Sequence, residues 1–138
     1  MNTLIHPAEK TVAANKEKVR QFLEESESWK RLLEFLFGEN SYLKIRLSHL
    51  DHCRALSNTP GKKENLQFDI QKTDQIIALN KSAVMSYEKW LTRQSSKNEE
   101  EIEKIYRRHV EVRKQIEKVE INFAIQKIAF NDEVTKYL

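Results

Sequence analysis

Four histidines and one cysteine are the side chains of this 138-residue sequence best suited to hold a metal or move a proton. Three of the five stand together in Ser48-His-Leu-Asp-His-Cys53, where His49, His52 and Cys53 are spaced so that a helix would carry them on one side. Imidazole and thiolate suit zinc, but a stable site takes four ligands, or three and an open position. His6 and His109 are isolated and complete no set, so the plainer reading of the cluster is a solvated outer face. His109 falls between Ile105 and Val112 on a core-facing stripe. An imidazole there could sense pH or act as a base; its commoner role is to take one hydrogen-bond partner and pack.

Other chemistries lack their parts. With two glycines in the chain there is no Gly-rich phosphate loop and no GxSxG elbow, and no HExxH is present. A di-iron bundle would need Glu-x-x-His pairs, but Tyr106 precedes His109 by three, and Arg46 and His49 precede His49 and His52. The expectation is a protein that is not an enzyme, uses no cofactor and has no evident small-molecule substrate. One cysteine excludes an internal disulfide framework and suits a reducing compartment. No secretory-type apolar stretch opens the chain and no 18 apolar residues run together, which predicts a cytoplasmic protein without a membrane segment.

The elements that would position such residues are helical. Ala, Glu, Lys, Leu and Arg make up 62 of the 138 residues, and two glycines with two prolines cannot punctuate a β architecture. Apolar positions recur three and four apart at Val12, Val19, Phe22, Trp29, Leu33, Leu36, Leu43, Leu47 and Leu50, with Asn15, Ser26 and Asn40 in the missing steps. A second stripe runs Leu66, Ile70, Thr73, Ile77, Asn80, Val84, Tyr87 and Leu91. A third runs Ile102, Ile105, His109, Val112, Ile116, Val119, Phe123, Gln126 and Phe130.

Pro60-Gly61 marks the main turn, over 57–63, and the apolar-free stretch Arg93–Glu101 a second, at about 94–98, with Ser96 and Glu99 reading as a capping box. The polar run Glu24-Glu-Ser-Glu-Ser28 reads as a joint, with Ser26 or Ser28 capping the next helix. The prediction is a single all-α domain over 1–138. It is an elongated antiparallel bundle of three long helices, near 28–57, 64–95 and 98–135, with coiled-coil-like packing and a shorter N-terminal helix near 8–25. Residues 1–7 are expected to be flexible. An extra stripe of Ile121, Ile125 and Ile128 suggests that the last helix touches more than one neighbour.

Leu36, Leu43 and Leu50 stand seven apart with Asn40 in the a-type place between them. The stretch Leu36–Leu47 thereby resembles the zipper of basic-leucine-zipper transcription factors, and the resemblance implies a parallel dimer whose register a buried asparagine would set. It departs from that family upstream, where Lys16–Glu27 is mixed to acidic instead of basic, and Gly38 would weaken a free-standing zipper. The segment Glu39-Asn-Ser-Tyr-Leu-Lys-Ile-Arg-Leu47 also resembles a stretch of small uncharacterised bacterial helical-bundle proteins, from which no activity follows.

Two binding functions remain. Phe35, Phe37, Tyr42, Phe68, Tyr106 and Tyr137 lie off or beside the main stripes, a surplus of large side chains for a lean bundle; Phe35, Phe37, Asn40 and Tyr42 with Ile121, Ile125 and Ile128 form the expected surface for a protein partner or self-association, including a homodimer. The alternative is nucleic acid. Residues 29–63 carry seven basic and three acidic side chains, and Lys30, Arg31, Lys44, Arg46, Arg54, Lys62 and Lys63 would track a phosphate backbone without reading sequence.

Overall fold

The computed structural model describes residues 7–50, 60–95 and 98–136, with side chains from residue 12 onward. It is all-α: α1 spans Pro7–His49, α2 spans Lys62–Thr92 and α3 spans Glu99–Thr135. Glu25 meets Arg113, and Asn40 meets Gln126, so α1 and α3 run parallel. Lys30 meets Glu88 while Lys44 meets Asp74, so α2 runs antiparallel to α1. The topology is up, down, up.

α1 has 43 residues, about 65 Å of helix, and is continuous through the run expected to be a joint. The separate helix near 8–25 is therefore not seen. The reason lies in what the polar residues of 24–28 do. Ser26 and Ser28 donate their hydroxyls to carbonyls of the preceding turn, on Leu23 (2.8 Å) and Glu25 (2.5 Å), which satisfies them inside the helix and leaves nothing to cap a new one. Glu24 pairs with Arg20, Glu27 with Lys30, and Glu25 turns inward to α3. A proline would have broken the helix here, and none is present.

Past the main turn, Gly61 takes a left-handed φ of 78° immediately before α2, a conformation glycine adopts without steric cost. α2 ends at Thr92, with Arg93 donating its N–H to the carbonyl of Trp90. α3 is capped by Asn98, whose side-chain oxygen accepts from the Glu101 N–H at 2.9 Å, while Glu99, Glu100 and Glu101 place negative charge against the positive helix end. The cap is thus Asn98; Ser96 lies outside the described residues, as do 51–57 of the helix expected to reach 57.

The core follows the three stripes. Phe22, Trp29, Leu33, Leu36, Leu43 and Leu47 of α1 meet Ile70, Ile77, Val84, Tyr87 and Leu91 of α2 and Ile105, Ile116, Val119, Phe123, Phe130 and Val134 of α3. Burying a side chain of this size stabilises the fold by about 1.5–3 kcal/mol. Ser26, Asn40 and His109 are the polar residues buried among them.

Candidate functional site

The interior holds a chain of polar contacts linking all three helices. Tyr87 Oη on α2 lies 2.6 Å from His109 Nδ1 on α3, and His109 Nε2 lies 2.5 Å from Glu25 Oε1 on α1. Arg113, one turn beyond His109, donates to both carboxylate oxygens of Glu25, at 2.7 and 2.9 Å. A carboxylate so held only accepts, so Nε2 carries the imidazole hydrogen and Nδ1 accepts from the tyrosine hydroxyl. The Arg113 guanidinium, helped by the imidazole, keeps the Glu25 carboxyl below the usual carboxylate range. Burial holds His109 below its ordinary value although Glu25 pulls the other way. The ring stacks with Phe22 at 3.9 Å and with Trp29 at 4.8 Å between centroids.

Hydroxyl, imidazole and carboxylate in a row form the arrangement that activates nucleophiles. Here Tyr87 and His109 are wholly buried, so no reactant reaches the hydroxyl. Burial also pushes the Tyr87 pKa up, opposite to what nucleophilic use requires. The network satisfies its own members and fixes how the helices meet.

About four turns further along α1, Asn40 does the same work. Its amide donates to the Ile70 carbonyl at 2.9 Å and to Asp74 Oδ1 at 2.8 Å, and its oxygen accepts from Gln126 at 3.2 Å. Thr73 in turn donates to the Gln126 oxygen, and Lys44 to Asp74 at 2.9 Å. Asn40 is fully buried, so it belongs to the interior and not to the outer surface expected for it. Leu36 and Leu43 beside it face α2 and α3 of the same chain. The zipper-like stripe is therefore occupied intramolecularly.

The surface has an apolar side. The last helix touches two neighbours, α1 and α2, as expected, but not through its second stripe: Ile121, Ile125 and Ile128 are 59–62% exposed. They point away from the core beside a groove of about 520 Å³ between α2 and α3, lined by Leu66, Ile70, Ile76, Phe123, Ile125 and Ala129. Phe68 and Leu79 on α2 are 63% and 70% exposed. Phe35, Tyr42 and Ile45, with Gly38 among them, make a smaller exposed stripe on α1, and nothing lies within 4 Å of where a Gly38 Cβ would stand. Gly38 thus lies inside the continuous α1 and admits no close neighbour. Phe37 and Tyr106 are exposed as well; Tyr137 lies outside the described residues.

The basic candidates do not line up. Lys30 pairs with Glu27 and Glu88, Lys44 with Asp74, and Lys62 with Glu133. Arg46 donates to Asn131 at 2.6 Å and lies over the Phe130 ring. Lys63 has an interaction of its own, Arg31 is exposed, and Arg54 lies outside the described residues. His49 ends α1, while His52 and Cys53 also lie outside them; among the described residues no group of three or more His, Cys, Asp or Glu is placed to hold a metal. No helix among them is long and apolar enough to cross a membrane.

Sequence reasoning placed His109 inside but missed its partners. Glu25 sat in a run read as a joint, and Arg113 lay beside the core stripe of the last helix with no role assigned to it. The available signal was register: Glu25 precedes the core position Ser26, and His109 with Arg113 stands at i, i+4. Comparison of the chain with protein-family models, with curated proteins and with solved structures found no match.

Proposed function

We propose that this protein is a non-enzymatic helical bundle that works by association, presenting the apolar α2/α3 face to a further helix. The observation that carries the reading is the groove, with Ile76 and Ile125 in its lining, together with the large apolar side chains left exposed on the same two helices, Phe68 and Leu79 on α2 and Ile121 and Ile128 on α3. Three helices leave a furrow where a four-helix bundle has its fourth member, and an amphipathic helix lays anchors three, four and seven residues apart into such a furrow. Monomers rarely leave so many large apolar groups in one place without using them.

This role fits a cytoplasmic protein with one cysteine, and the coiled-coil-like spacing of its stripes suits helix recognition. The phosphate-binding alternative draws no comparable support, since Lys30, Lys44 and Lys62 already hold carboxylates. The test is chemical cross-linking in lysate of the expressing cell, wild type beside Ile125→Asp. A discrete adduct that the variant loses supports the reading. An unaltered pattern overturns it.

A further inference from the structure

We propose that the occupant of the α2/α3 face is a second copy of the same chain, docked about a two-fold axis that crosses the helices at Ile125; this rests on the association reading above. The sequence of α3 is self-complementary about that residue. Lys118 and Asp132 stand seven residues to either side of Ile125, two helical turns each way, so both share its outward face. Both are exposed, and neither has an ion-pair partner among the described residues. In an antiparallel α3 pair centred on Ile125, Lys118 of each copy meets Asp132 of the other, and the two-fold makes the contact twice. Within those pairs, Ile121 comes beside Ile128 of the second copy on one edge of the helix and Asn122 beside Ala129 on the other, with Ile125 against its own counterpart.

The same axis suits α2. The contacts Thr73–Gln126 and Lys62–Glu133 put Lys72 near the level of Ile125. Phe68 and Ile76, four residues to either side of Lys72, then face one another between copies. Asp69, one turn from Lys72, brings a carboxylate within reach of Lys72 of the other copy, which offsets the meeting of two lysines at the axis. The next pair outward on α3, Lys114 with Lys136, is like-charged, but Lys136 already holds Glu133 at 3.2 Å.

Area supports a dimer of ordinary size. The six large apolar side chains of the face are 37–70% exposed. At about 100 Å² apiece they supply on the order of 600 Å² per copy before the polar rim is added, against about 800 Å² per partner in a standard interface. A second mode, in which the α1 stripe of Phe35, Tyr42 and Ile45 enters the groove of another copy, joins unlike surfaces and does not close, so it builds chains instead of dimers.

Sedimentation equilibrium of the purified full chain decides the matter. Wild type is expected to be a dimer. Lys118→Glu and Asp132→Lys, both at exposed positions that leave the helical circular dichroism unchanged, each raise the dissociation constant about tenfold by turning two attractions into repulsions. The double variant, which only reverses the pair, returns to the wild-type value. A wild-type monomer at all concentrations, a double variant weaker than either single one, or growth past the dimer overturns the assignment. If the chain is a monomer while the adduct lost in Ile125→Asp persists in lysate, the second copy is wrong and association by this face stands. If both vanish, both readings fall.

Discussion

His109 Nε2 lies 2.5 Å from Glu25 Oε1 across 84 residues of sequence, and that contact ties the last helix to the first inside a cage of aromatic rings. Tyr87 completes the tie from α2, so one imidazole carries a hydrogen bond to each of the other two helices. A buried polar chain of this kind allows one register: sliding any helix by a turn would leave a donor or acceptor unpaired in an apolar core. Among the described residues every buried side-chain nitrogen and oxygen has a partner.

Tyr87→Phe removes the hydroxyl and leaves His109 Nδ1 buried without a donor. The expected cost is about 1–3 kcal/mol of unfolding free energy, the desolvation of an unsatisfied acceptor. Urea unfolding followed by circular dichroism measures it. A variant as stable as wild type would mean that the hydroxyl contributes nothing.

Acid should weaken the bundle in two stages. His109 is held below its ordinary pKa, chiefly by burial, so the unfolded chain takes up this proton first; stability is full above the unfolded value near 6.5 and falls as pH drops toward the lower native one. Glu25, held low chiefly by Arg113, contributes stability above the ordinary glutamate value that is lost as pH falls further. Unfolding midpoints should therefore decline from pH 7 to pH 4, and Glu25→Gln should shrink the lower stage, to which Glu17, Glu27 and Glu133 also contribute through their own basic partners, while the histidine stage remains. A midpoint that rises on acidification below pH 6 contradicts this assignment.

Gly38→Ala should stabilise. The position is mid-helix and an added Cβ meets nothing within 4 Å, so alanine gains its helix preference of about 0.5–1 kcal/mol without a clash. Thermal unfolding checks the sign. A loss of stability would show that the glycine serves a contact within the chain.

The three helices and most of the core were legible because spacing alone decides them: among the described residues, sixteen of the seventeen buried apolar side chains lie on stripes readable three and four apart, Val134 being the addition one turn beyond Phe130. The unbroken α1 was not, because Glu24–Ser28 has the composition of a cap. Only the tertiary partners of Glu25 and the backward hydroxyl bonds of Ser26 and Ser28 show that it is not one. The polar chain was half legible. Periodicity points His109 inward, but no local pattern says that a glutamate on one helix and a tyrosine on another will arrive at its two nitrogens. For Ile121, Ile125 and Ile128 periodicity gave the face and not its neighbour, since a second stripe reads the same whether another helix of the chain covers it or none does.

The claim that the α2/α3 face is where the protein associates is tested most directly by a photo-cross-linking residue placed at position 125, in the expressing cell, beside the same residue at exposed Ser48. The account predicts one discrete adduct from position 125 and none from position 48. No adduct from position 125, or the same adducts from both, would contradict it.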